Sequence, residues 1–217
     1  VDYNSLFSNV GGVGSCNHPE RISIRFAHGD EINKTLQMRY YFLHDRLKAL
    51  NVSEEQKRRQ EEFDRFDASS YHLIAEYNNK ILALIRVAKD SELGLPMDEL
   101  YDLNCLRKSG AKLWEPGRLI RMPFSPRGLG RSLFRAANEF IKFRGGTHQL
   151  GINDDEHEDL FRRMGYAMDK VVSADIIGIE RKAYIEIFDV NNPIIFFKGD
   201  PYNDPLVADF LNRLNKE

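Results

Sequence analysis

Residues 114–144, WEPGRLIRMPFSPRGLGRSLFRAANEFIKFR, constrain this chain more than any other stretch. Leu119, Ile120 and Met122 form the apolar part of a strand that begins around Glu115 and Arg118, and Pro123, which has no N–H to donate, closes it. Ser125-Pro126 breaks the chain, and Leu129, Leu133, Phe134, Ala137, Phe140 and Ile141 then recur at helical spacing. The pattern predicts strand, loop and helix, with Arg127-Gly128-Leu129-Gly130-Arg131-Ser132 where the helix begins. Glycines at such a place let the backbone approach a ligand, and the free N–H groups and positive end of the helix dipole favour an anion. Arg127 and Arg131 add full charges, so a phosphate-bearing group is the expected guest. No Gly-Lys-Ser/Thr closes the segment as in a P-loop, and Leu133 stands where a dinucleotide loop has its third glycine. An ordinary glycine turn capping a surface helix stays open as the plainer alternative.

The rest of the chain alternates strand and helix signals. Residues 1–20 are rich in Gly, Asn and Ser and read as a flexible arm ahead of one domain over 21–217. Residues 21–27 alternate as a strand, and Asp30 is expected to cap a helix running to about Leu50 along Ile32, Leu36, Tyr40, Leu43 and Leu47. Residues 51–70 are dense in charge, yet Phe63 and Phe66 interleave with Glu62, Asp64 and Asp67 and should anchor the segment on the body. Apolar runs 71–77 and 81–87 around Asn78-Asn79 predict a hairpin, with Arg86 near the end of its second strand. Residues 90–110 read as a polar connection with one or two helical turns. Residues 147–153 predict a strand, 154–164 a helix stopped by Gly165, and 166–172, 182–190 and 194–197 further strands. Residues 190–217 read as an extension ending in a helix over 206–214, capped by Asp204 with Pro205 at its first position. The expected class is α+β, a mixed sheet with helices against it.

Composition narrows the function. With 217 residues and a net charge of −2, the chain can bury a sizeable core and is a poor general nucleic-acid binder. Its charge is uneven: residues 117–146 hold seven basic side chains (Arg118, Arg121, Arg127, Arg131, Arg135, Lys142 and Arg144) against one acidic, Glu139. That run is either a solvated helix face or a docking patch for an acidic partner. Cys16 and Cys105 are too few for a disulfide framework or a metal site, which favours a reducing, cytoplasmic setting. The six histidines have no metal or triad spacing, so no metal is expected, and His72 and His148 read as packing residues beside strands. No apolar run is long enough to span a membrane, and no signal-peptide core is visible at the start.

The element order and the loop Arg127–Ser132 resemble the GNAT N-acyltransferase superfamily, although Ser132 stands where Gly or Ala is usual. Four further patterns resemble the branch that holds acyl-homoserine-lactone synthases and long-chain N-acyl amino acid synthases. They are Met38-Arg39-Tyr40-Tyr41-Phe42, Glu62-x-Asp64-x-x-Asp67, the strand-terminal Arg86, and Glu115-x-x-Arg118. The glycine loop and the 53–67 run are more like the N-acyl amino acid synthases, since the tryptophan usual after the first helix of lactone synthases is missing.

The resemblance implies a central, twisted, mostly antiparallel sheet and no permanently bound cofactor. It implies a fatty acyl donor carried as a thioester on acyl carrier protein or CoA, and an amino-acid acceptor such as tyrosine, giving an N-acylated, signal-like product. Carried onto this chain, Glu115 becomes the general base, with Arg118 beside it in the catalytic pair; the alternative for Glu115 is a structural pairing with Arg118 or Arg86. Arg39, Asp64, Asp67 and Arg86 become acceptor-binding residues, or else an ion-pair network holding 51–70 on the sheet. Arg121 and Met122 would bind substrate and supply backbone donors to the oxyanion, and Arg127, Gly128, Leu129, Gly130, Arg131 and Ser132 would hold the donor's phosphate and pantetheine. Competing readings are a lactone synthase using S-adenosylmethionine, an acetyl-CoA-dependent acetyltransferase, and a catalytically silent module that binds acyl carrier protein or acyl-CoA.

Overall fold

In a computed structural model the structure describes residues 22–47, 51–154, 168–175, 180–191 and 199–216. The expected arm at 1–20, residues 155–164 of the expected helix with its Gly165 stop, and the strand over 194–197 lie outside the described residues, while Asp154 ends a strand. The described chain forms one seven-stranded sheet of order β1-β2-β3-β4-β5-β7-β6: β1 Ser23–Phe26, β2 Ser70–Tyr77, β3 Lys80–Lys89, β4 Leu113–Arg121, β5 His148–Asp154, β6 Met168–Asp175 and β7 Glu180–Asp189. Every neighbouring pair is antiparallel except β4 with β5. The helices are α1 Asp30–Arg39, α2 Glu54–Arg59, α3 Asn104–Lys108, α4 Leu129–Phe143 and α5 Pro205–Leu214.

Local chemistry explains most boundaries. The β2–β3 hairpin turns on Asn78 and Asn79, both left-handed (φ 49° and 61°), as a two-residue turn between right-twisting strands requires. Gly128 (φ 85°) makes the left-handed entry to α4. Asp204 caps α5 by accepting from the N–H groups of Leu206 and Val207 at 3.1 and 3.4 Å. Helix α1 departs from expectation at both ends. Gly29, not Asp30, is the N-cap, and after Arg39 the chain winds as a π-helix over Tyr40–Arg46. The wider turns rotate the apolar stripe, so Phe42 is buried while Leu47 is exposed.

Both faces of the sheet are covered. Helices α4 and α5 pack Leu133, Phe140, Val207 and Phe210 on Ile24, Leu73, Ile85 and Trp114. On the other face, Met38 and Phe42 of the first helical segment meet Ile74, Leu84, Ile120 and Met122. The same face continues into a third cluster, where Leu95, Met97 and Leu103 cover Leu113, Leu150 and Ile185. Strand β3, between two neighbours, is buried over seven consecutive residues, as a continuous apolar run predicts. Helix α5 is tied into this body, since Arg213 donates to the Ile24 carbonyl at 2.6 Å and Ser132 to Asp204 at 2.8 Å.

Strand β4 is irregular on both of its edges. Its pairing with β5 covers only Leu113↔His148 and Trp114↔Gln149, after which β5 pairs with β7 alone and the two parallel strands part. Pro116 can sit in this strand because β4 has no β5 partner beyond Trp114. On the other side, Leu84 faces Ile120 while Arg86 faces Gly117, so β4 carries one extra residue in a bulge, and Arg118 there has φ 57°.

Candidate active site

Where β4 and β5 part, a pocket of about 500 Å³ opens. Its walls are residues 64–66 on one side and Met97, Glu99 and Leu100 on the other, with Glu115 and Arg118 of β4 and Ile152 of β5 between them. Met97 donates its N–H to Glu115 Oε2 at 2.8 Å. The wall that carries Met97 is fastened from behind by Arg107, which forks onto Asp90 and Asp98 at 2.5–2.9 Å.

Beside the pocket three arginines meet three carboxylates. Arg39, fully buried, donates from Nη1 and Nη2 to the two oxygens of Asp67 at 2.5 and 3.0 Å, and from Nε to Glu62. Arg86, also buried, reaches Asp64 at 2.6 Å and Asp67 at 3.4 Å. Arg118 shares Glu62 (3.1 Å) and Asp64 (3.4 Å). The N–H of Asp64 donates to Asp67 at 2.8 Å, which fixes the turn presenting both carboxylates. Phe66 is buried beneath it, as its placement between acids predicts, while Phe63 is half-buried under the Arg59 guanidinium.

The carboxylates fall into two electrostatic classes. Burial opposes ionisation of Asp67, but the hydrogen bonds and charge of Arg39, with Arg86 behind, bring it down to about 2. Glu62 is lowered likewise, Arg118 and Arg39 overcoming its burial. Burial likewise holds His72 of β2 neutral, with its pKa near 4 despite Asp67. Glu115 goes the other way. Burial pushes its carboxyl up to about 7, and the Met97 N–H and the charges of Arg86 and Arg118 only partly offset this. Arg86 and Arg118 still favour its ionised form, but they also bond Asp64, Glu62 and Asp67, and burial outweighs them.

Residues 39–171 match the model of a protein family described as "N-acyl amino acid synthase FeeM". The chain belongs to this family. Among the solved structures that share its fold, three are informative. One is FeeM, an N-acyl amino acid synthase from uncultured soil microbes (TM-score 0.64, 15% identity, 79% of this chain and 92% of that one). Another is the acyl-homoserine-lactone synthase LasI (0.58, 16%, 82% and 95%). The third is BjaI, a CoA-dependent acyl-homoserine lactone synthase with S-adenosylmethionine and isopentyl-CoA (0.58, 14%, 90% and 89%). No curated protein sequence matches the chain. The fold is that of the GNAT N-acyltransferases, and this member of the FeeM family is an acyltransferase.

Of the residues singled out in the sequence, Arg39, Asp64, Asp67, Arg86, Glu115 and Arg118 come together in and beside one pocket. Met122 does not line it; the side chain is buried and its N–H donates to the Leu82 carbonyl at 2.9 Å. That bond removes the Met122 amide as an oxyanion donor. Arg121 is exposed and donates to the carbonyl and hydroxyl of Ser125, each at 3.2 Å. Of the loop residues, Arg127 and Gly128 lead into α4 and Leu129, Gly130 and Arg131 form its first turn, with Arg127 and Arg131 exposed and Leu129 buried. Ser132 ties that turn to Asp204. Arg135 is no part of an exposed rim: it is buried and donates to the Gly199 carbonyl at 2.7 Å. Sequence reading passed over Glu62 as a site residue, although the Glu-x-Asp spacing carried it, and passed over the Met97 amide, which leaves no side-chain signature.

Proposed function

We propose that the enzyme moves a long-chain fatty acyl group from a thioester on acyl carrier protein to the amine of a free amino acid such as tyrosine, in the cytoplasm. The observation that carries this reading is Glu115, set between parting strands with its carboxyl raised to about 7. An amino acid arrives as an ammonium. A carboxylate poised near neutral pH accepts its proton, directly or through one water, and leaves an amine able to attack. The nitrogen–carbon bond forms, the carbonyl becomes an oxyanion, and collapse breaks the carbon–sulfur bond, the released thiolate taking up the proton that the acylated nitrogen gives up. The bulge at Arg118 frees one backbone position of β4 from the ladder beside Glu115 and is the natural oxyanion donor in place of Met122.

The two substrates enter from opposite faces of the sheet. Trp114 packs against α4 and the adjacent Glu115 bonds to Met97 on the far side, so neighbouring residues of β4 face the two sides of the sheet where the strands part. The N-terminus of α4, with Arg127 just before it and Arg131 in its first turn, suits a phosphodiester, and exposed Arg121 extends the positive surface toward an acidic carrier. BjaI, a fold neighbour, takes a CoA donor. The deciding experiment therefore offers palmitoyl thioesters of both acyl carrier protein and CoA, with tyrosine or S-adenosylmethionine as acceptor, and identifies products by mass spectrometry. N-palmitoyl tyrosine from the carrier-protein thioester is expected. An acyl homoserine lactone, or product from CoA alone, would replace this reading.

A further inference from the structure

An amino-acid acceptor brings a carboxylate into the pocket, and the arginines expected to receive it are engaged. Arg39, Arg86 and Arg118 are matched by Glu62, Asp64 and Asp67, and the first two are buried. Substrate binding to them would break buried ion pairs and leave a carboxylate unpaired, an expensive exchange. Arg65 is placed differently. It lines the same pocket, and its guanidinium carbon lies 4.8 Å from the centre of the Phe66 ring, a platform held by that residue's burial. Its partner is Glu99 on the opposite wall at 3.3 Å, and both side chains are 59% exposed. An exposed pair of this kind contributes little, so the guanidinium can exchange one carboxylate for another at small cost. A planar fork stacked on a ring still presents its hydrogen-bonding edge to a carboxylate.

We propose that Arg65 binds the α-carboxylate of the acceptor, taking it in place of Glu99. This rests on the reading that the pocket accepts a free amino acid, and it adds the residue that recognises one. It also narrows the acceptor class. Met97, Leu100 and Ile152 give the remaining wall an apolar surface, while Asp64, Glu99 and Glu115 repel an added negative charge. The acceptor is an α-amino acid with an apolar or aromatic side chain, not an acidic one.

The test compares tyrosine with tyrosine amide as acceptors for wild type, Arg65→Ala, Arg65→Lys and Glu99→Gln at saturating acyl donor, with calorimetric titration of both acceptors in parallel. Wild type is expected to prefer the acid, and Arg65→Ala to raise the KM for the acid about tenfold while leaving kcat and the KM for the amide nearly unchanged. Arg65→Lys should recover part of the preference, and Glu99→Gln should lower the KM for the acid by removing the competing carboxylate. An acid-over-amide preference that survives Arg65→Ala, or an equal loss for both acceptors, overturns the assignment. If wild type acylates neither acceptor but binds tyrosine in an Arg65-dependent way, the acyl-transfer reading falls and the carboxylate site stands. Binding of neither overturns both.

Discussion

Glu62 and Asp67 on one side, and Glu115 on the other, are carboxylates of one neighbourhood with opposite fates. The first two are surrounded by arginines and held ionised, Asp67 down to about 2. Glu115 also feels Arg86 and Arg118, yet burial raises it to about 7, and those two charges and the Met97 amide offset this only in part. Proximity to a positive charge therefore does not decide a carboxylate's state; the balance of burial against its partners does. The paired carboxylates are suited to holding structure, and the unpaired one to moving a proton.

The largest expected effect breaks the structural half of this contrast. Arg39 lies at the end of α1 and joins it to the 51–70 segment through Glu62 and Asp67. Arg39→Ala leaves both carboxylates short of a partner and should destabilise the fold by about 3–5 kcal/mol, read as a lower denaturant midpoint. A change under about 1 kcal/mol would mean that the network is dispensable to folding.

Next in size, Glu115→Gln keeps the shape and the Met97 hydrogen bond but removes the proton acceptor. Turnover should fall by about 10²–10⁴, with acyl-donor affinity nearly unchanged. Normal turnover would move the base elsewhere and leave Glu115 as a strut for the Met97 wall.

The contrast was half visible in the sequence. The Glu-x-Asp-x-x-Asp spacing, the strand-terminal Arg86 and the Glu115-x-x-Arg118 pair marked residues that the fold brings together, and the hairpin at Asn78-Asn79 and the Asp204 cap arise from neighbours in the chain. What was not visible depends on partners far apart in sequence. The fork of Arg107 onto Asp90 and Asp98, the bulge at Arg118 and the neutralisation of Arg86 need the folded arrangement. The π-helix after Arg39 was hidden because apolar residues at α-helical spacing continue through it.

A smaller effect sharpens the comparison through pH. The folded-state pKa of Glu115 is raised from 4.5 to about 7, so its share of stability is full below 4.5 and is lost as pH rises through 7. Asp67 has the opposite sign: its share is present above 3.8 and lost as pH falls through about 2. His72, held neutral with a pKa near 4, lowers stability as pH falls below 6.5 and works against Glu115 in part of the window. The difference between wild type and Glu115→Gln isolates the one carboxyl. Across pH 5 to 8 the variant should gain on wild type by at most about 3 kcal/mol. Parallel stability curves over that range would show that Glu115 titrates in the fold as it does in the unfolded chain.

The smallest effect concerns the other end of β4, where charge is exposed. Arg127 precedes the Gly128 entry to α4 and Arg131 stands in its first turn, whereas Arg135, one turn on, is buried against Gly199. Replacing Arg127 and Arg131 with Glu puts negative charge at a helix N-terminus, which the dipole favours, so α4 itself should be retained. Exposed charges at a docking rim act mainly on association and its salt dependence. The double variant should bind acyl carrier protein about tenfold more weakly at low ionic strength, and the gap should close as salt is added. Acyl transfer from a short pantetheine thioester, which has no carrier surface to dock, should change far less. Carrier affinity unchanged at low salt would remove the docking role and leave the first turn of α4 to the phosphodiester alone.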